Sequence, residues 1–149
     1  APRYAEALRN TCKDGVVLVG EAAGGLDTVA YAADPGPEVG GVINMAGGNG
    51  GHMHGRDNDN CRPDLLAAAM AQFGATSPLP ELWVYAANDS YFAPAIATAM
   101  HTAFTGAGGR AELWQPGPFG HDGHTLFFAR GGAAVWGEMV GKYLATRGK

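Results

Sequence analysis

The sequence predicts an α/β domain with about four parallel strands and helices on both faces, and three observations carry that expectation. Short runs of β-branched and large apolar residues recur without polar alternation, as in strands buried on both faces. Between them lie segments whose apolar residues repeat at helical spacing. The 24 glycines and 9 prolines fall mostly where one kind of segment gives way to the other. Strands alternating with helices imply right-handed crossovers and a helix-covered parallel sheet.

Taken in order, Tyr4, Leu8 and Cys12 recur at spacing four and predict a short amphipathic helix ending before Asp14-Gly15. Val16, Val17, Leu18 and Val19 predict the first strand. Leu26, Val29, Ala30 and Ala33 mark a helix stopped by Pro35, and residues 41–46 read as a second buried strand. Leu65, Leu66, Ala69, Met70 and Phe73 form one stripe of a helix over 63–73, followed by a third strand over 81–87. Pro94 opens the next helix at the first-turn position, where its missing N–H does no harm, with Ile96, Met100 and Phe104 on its inner face. Gly106 and Gly109 bracket its end. Residues 110–115 predict a fourth strand, a loop carries His121 and His124, and residues 133–146 close as a helix with Val135, Trp136, Met139, Val140 and Tyr143 toward the core. No repeat or low-complexity linker interrupts this order, so residues 1–149 read as a single, partial α/β domain.

Composition excludes several classes of function. With 46% hydrophobic and 16% charged residues the chain is globular, and at this length a domain buries roughly 70% of its unfolded surface. A net charge of -4, with the basic residues scattered, argues against nucleic acid as a partner. The apolar runs fall far short of the ~20 residues that span a bilayer, and residues 1–15 do not read as a signal peptide. Cys12 and Cys61 fit a disulfide or two thiols. His52 and His54 with Asp57, Asp59 and Cys61 match no zinc spacing and read as a glycine-flanked surface loop, so no metal is expected.

The stretch with the most chemical content is Gly20-Glu21-Ala22-Ala23-Gly24-Gly25, directly after the first strand. In the G-x-S-x-G pattern a serine sits on a strained strand-to-helix turn framed by glycines. Here Gly20 and Gly24 hold the glycine positions and Ala22 stands where the serine hydroxyl is needed. The string does not fit G-x-G-x-x-G, so no nicotinamide or other cofactor is expected. Two further segments lie at the carboxyl ends of strands, where sites form in open α/β sheets. One is Asn88-Asp89-Ser90-Tyr91-Phe92 and the other runs from Phe119 to His124. Elbow, acid and histidine follow one another in the order used by α/β-hydrolases.

In these residues the chain resembles the C-terminal half of an α/β-hydrolase, closest to the dienelactone hydrolase-like group. The elbow is similar to that group's G-x-S-A-G-G, and Asn44-Met45-Ala46-Gly47-Gly48 to its glycine-rich turn after the next strand. Leu82-Trp83-Val84-Tyr85 with Asn88 to Phe92 resembles its acid-bearing strand end, and Asp122-Gly123-His124-Thr125-Leu126-Phe127 its histidine loop. The resemblance implies a serine-type hydrolase of small esters or lactones. Ala22 then replaces the nucleophile, Asp89 orients the base, His124 is the base, and the Ala23 N–H is one oxyanion donor. The second donor lies in the half of the fold that the chain lacks, and without an oxygen at position 22 the chain is expected to be inactive. Retention of Asp89, His124 and the elbow glycines favours a deliberate replacement of serine over a natural pseudoenzyme, which is the alternative: a non-catalytic binding module.

Blander readings stand beside these. Asp89 alone could cap the helix that follows. His121 is a rival base, read instead as a pocket or surface residue, and His101 reads as a surface residue. Trp83, Trp114 and Trp136 read as packing residues. The first strand, internal in a complete sheet, presents an unpaired apolar edge over Val16 to Val19. An upstream segment, a second chain or a symmetry mate is expected to cover it.

Overall fold

The computed structural model describes residues 15–147. The helix expected around Tyr4 and Leu8, and the state of Cys12, lie outside the described residues, while Cys61 is an exposed free thiol. The elements are β1 (Val16–Glu21), α1 (Ala23–Ala32), β2 (Val39–Met45), α2 (Pro63–Gly74), β3 (Pro80–Val84), α3 (Pro94–Gly106), β4 (Arg110–Trp114) and α4 (Gly132–Ala145), with single 3-10 turns at Met53–Gly55 and Gly123–Thr125. All four strands are parallel, in the order β1-β2-β3-β4.

Because every crossover steps one strand in the same direction, the right-handed rule sends α1, α2 and α3 to one face. There Val29, Met70, Met100 and Phe104 pack on Val42, Trp83 and Tyr85. The opposite face carries α4, whose Val140 and Tyr143 pack on Ile43, Met45, Leu82 and Val84. Neighbours along β2 and β3 thus serve opposite cores, which is why both strands are largely apolar on both faces, with Asn44 and Glu81 as their buried polar residues. Pro63 and Pro94 open α2 and α3 at their first positions. α2 and α3 pack closely at Gly74, where any Cβ would run into the Phe104 carbonyl.

Tyr143 anchors α4 beneath the sheet: its hydroxyl donates to Pro80 O at 2.6 Å and accepts the Val42 N–H at 3.0 Å. Glu81 is buried beside it, accepting from Trp83 Nε1 at 2.7 Å and Ser77 Oγ at 3.3 Å. Burial pushes the Glu81 carboxyl up to about 7 despite those two donors. His101 is not the surface residue expected. On the β4 side of α3 its Nε2–H donates to Ala111 O at 2.9 Å and its ring meets the edge of Trp83.

β1 is only half-buried, and Val19 is 46% exposed. Among the described residues it pairs with β2 alone. On the α4 face, Val17, Val19, Ile43, Met45, Phe127, Trp136, Val140 and Leu144 line an apolar groove of about 400 Å³. No helix among the described residues is long and apolar enough to cross a membrane.

Candidate active site

At the carboxyl end of β1 the backbone reverses into α1 through Ala22, at φ 50 and ψ -122. A non-glycine residue in that region is strained and persists only where its surroundings over-determine it. They do so here: the Ala22 N–H donates to Met45 O at 3.1 Å, and its carbonyl accepts from Leu26 N–H at 3.1 Å and Gly48 N–H at 3.0 Å. A Cβ at Gly20 would collide with the Gly24 carbonyl, whereas one at Gly24 would meet open space. The position that sterics reserve for glycine on the helix side is Gly25, whose Cβ would lie 2.5 Å from Asn44 Oδ1 and 2.7 Å from Gly47 Cα. Asn44 and Tyr85 fix that turn, Asn44 Nδ2 donating to Tyr85 Oη at 3.1 Å and Tyr85 Oη to Gly47 O at 2.7 Å. Among the described residues no hydrogen bond takes up the Ala23 N–H.

Beyond β3 the chain turns so that Asp89 is buried, its side chain fully enclosed. Its Oδ1 accepts the N–H groups of Tyr91 at 2.8 Å and Phe92 at 2.9 Å, a local turn that ends before α3 begins. His124 Nδ1 lies 3.1 Å from Oδ1 and 3.2 Å from Oδ2, so Nδ1–H donates to the carboxylate and Nε2 is left as the basic nitrogen. Burial pulls the imidazole pKa down, but the hydrogen bond and charge of Asp89, with the charges of Asp122 and Glu21, more than offset it and leave the pKa raised. Glu21 is itself raised, by burial first and the Asp89 charge last, although the His124 charge opposes both, and its buried Oε1 has no hydrogen-bond partner among the described residues.

Ala22, Ala23, Gly48, Gly51, Tyr91 and His124 line one cleft of about 180 Å³. The fold therefore brings together the turn at Ala22, the Ala23 N–H and His124, with Asp89 behind the imidazole. His121 stays exposed, outside this cleft, in a polar pocket with Asp57 and Asn88. Among the described residues no cluster could hold a metal ion, and His54 spends its Nδ1 on Asp59, which also pairs with Arg56.

Several participants escape a reading of the sequence. Asn88 ties the two loops together, accepting from Phe119 N–H at 2.8 Å and donating to Phe119 O at 3.2 Å. At Gly123 a Cβ would lie 2.6 Å from both Ala86 Cβ and Asn88 Oδ1, so only glycine lets the histidine loop come down on the end of β3. Asp122 caps the turn holding His124: its Oδ1 accepts His124 N–H at 2.9 Å and Ser90 N–H at 3.0 Å, while Oδ2 accepts Ser90 Oγ at 2.7 Å. An acid before a glycine turn is a capping signal available from sequence; its reach across to Ser90 is not.

No family model matches the chain, and no curated protein sequence matches it. Solved structures do. A candidate dienelactone hydrolase from Klebsiella pneumoniae superposes at TM-score 0.57 and 19% identity, over 84% of this chain and 50% of that one. An esterase of Pyrococcus furiosus superposes at TM-score 0.67 and 9% identity, over 99% of this chain and 59% of that one. A serine-to-alanine variant of a meta-cleavage product hydrolase from Pseudomonas fluorescens, complexed with acetates, gives TM-score 0.57 and 13% identity over 89% of this chain and 65% of that one. The chain thus spans between 50% and 65% of the length of these structures, and over that span it shares their α/β-hydrolase fold.

Proposed function

We propose that the chain carries the acid and base of a serine-type carboxylic ester hydrolase for small esters or lactones, with its nucleophile position occupied by Ala22. The observation that carries this reading is the buried Asp89–His124 pair at 3.1 Å, whose histidine shares one cleft with a strained residue 22 and the free Ala23 N–H. With a serine there, Oγ attacks the ester carbonyl carbon while His124 Nε2 takes its proton. Asp89 holds Nδ1–H and stabilises the imidazolium. The Ala23 N–H faces the developing oxyanion as one donor. The imidazolium returns its proton to the departing alkoxide, and water then releases the acid by the same steps in reverse. Without Oγ no acyl-enzyme can form, and loss of a triad nucleophile costs about 10⁶ in kcat. The chain as it stands is therefore inactive on this reading.

Ala22→Ser tests it. That variant is expected to react with a fluorophosphonate probe and to hydrolyse small activated esters; absence of labelling sinks the proposal. A second reading, a non-catalytic hydrolase-fold binding module, is favoured by Ala22 itself. A coding sequence with alanine at position 22, together with ligand affinity unmoved by His124→Ala, selects it. The β1 edge, unpaired among the described residues, and the groove beside Val19 fit a further segment of the same polypeptide better than a second chain or a symmetry mate, since the matched structures extend well beyond the region this chain covers.

A further inference from the structure

Outside the acid–base pair, the feature that the reaction does not account for is a ladder of three rings. His52 lies on Tyr91 with centroids 3.7 Å apart and planes within 9°, and Tyr91 lies on His124 at 4.1 Å and 26°. Asp89 holds His124 at one nitrogen, which leaves the ring free to swing about that bond. A flat neighbour removes this freedom, and Tyr91 is that neighbour, with Phe92 tilted against the same imidazole at 5.9 Å.

The outer ring is itself held. Ser90 Oγ spends its proton on Asp122, so the hydroxyl oxygen and the Ser90 carbonyl both accept from His52 Nε2–H, at 3.1 Å and 3.0 Å. Asp122 in turn accepts the His124 N–H, which closes a circuit from His52 through Ser90 and Asp122 to the base and back through Tyr91. The loop bearing His52 is pressed onto this circuit: a Cβ at Gly51 would lie 2.7 Å from Tyr91 Cβ. Asn58 pins its far end, donating its N–H to Ser90 O at 2.7 Å and its Nδ2 to Asp89 O at 3.2 Å. The same loop, through Gly48 and Gly51, forms a wall of the cleft.

We infer that His52 is a positioning residue for the base: anchored on Ser90, it clamps the Tyr91 ring against His124 and so fixes the plane in which Nε2 is presented to the cleft. This rests on reading His124 as the base. His52 therefore belongs to the acid–base machinery and not to the plain surface loop that its spacing suggests.

Two measurements test it, and they fail separately. In the chain as it stands, histidine-selective ¹⁵N spectra should show His124 as a single tautomer protonated at Nδ1, and His52→Ala should broaden that signal or mix in the second tautomer. An unchanged His124 signal overturns the inference, whatever the enzyme does. In the Ala22→Ser background, His52→Ala is expected to lower kcat on the order of tenfold with KM unmoved, the scale of a catalytic group displaced by a fraction of an ångström. His52→Phe, which keeps a ring but no donor, should restore most of that loss; His52→Gln, which keeps a donor but no ring, should not. Rescue by glutamine alone, or full kcat in His52→Ala, overturns the clamp. If Ala22→Ser is inactive while the spectra change as stated, the hydrolase reading falls and the positioning of His124 by His52 stands.

Discussion

Asp89→Asn in the Ala22→Ser background separates a catalytic acid from a turn-forming one. The remaining amide oxygen can keep both backbone donors, Tyr91 N–H and Phe92 N–H at 2.8 and 2.9 Å, so the turn survives. What changes is charge: hydrogen bonds to an ionised acceptor become bonds to a neutral one, a loss on the order of 1–2 kcal/mol of stability. At His124 the effect is qualitative. The new amide nitrogen stands 3.2 Å from Nδ1 in place of Oδ2 and donates to it, in competition with the retained oxygen at 3.1 Å, which favours the tautomer protonated at Nε2 and takes the basic nitrogen out of the cleft. The wrong tautomer costs about 10⁴ in kcat, or about 5.5 kcal/mol. The assay is turnover of a small activated ester beside urea unfolding of the same variant. Loss of stability by several kcal/mol with turnover reduced less than tenfold refutes the reasoning and leaves Asp89 a turn residue.

The folded pKa of Glu81 is about 7 against an ordinary 4.5, so the native state binds its proton more tightly. Its stabilising contribution is complete below the ordinary value and lost as pH rises through about 7, spanning on the order of 2–3 kcal/mol. Glu81→Gln should flatten this dependence, read as urea midpoints at about pH 5 and about pH 8; an unaltered difference between them contradicts it. Gly25→Ala drives a methyl into Asn44 and Gly47 and should cost about 1–3 kcal/mol, seen as a lower Tm and, in the Ala22→Ser background, lost probe labelling. Val19→Lys should suppress self-association of the isolated chain in sedimentation velocity, because lysine blunts an open strand edge. A parent chain already monomeric at high concentration removes the reason for any covering segment.

Much of the scaffold was readable from local pattern. Proline at the first turn of α2 and α3, glycine beyond α3 and largely apolar runs at β2 and β3 each act within a few residues, so the elements fall close to where spacing puts them. β3 ends at Val84, short of the expected residue 87, although Tyr85 and Ala87 N–H still bond across to Trp114 and Pro116. A sequence run does not record where regular pairing stops.

By itself the sequence determined the alternation of strand and helix, the absence of an oxygen at Ala22, and the order of Asp89 and His124 behind it, since each depends on residue identity or spacing alone. Tertiary structure decided what those residues touch. It put Asp89 within 3.1 Å of a histidine 35 residues away, reserved Gly25 and Gly123 for close backbone approach, set the His101 ring against Trp83, and stacked His52 on the tyrosine ring that lies on His124. Each of these is a contact between segments that meet only when the crossovers bring the strand ends side by side, and no local periodicity encodes which ring will lie on which.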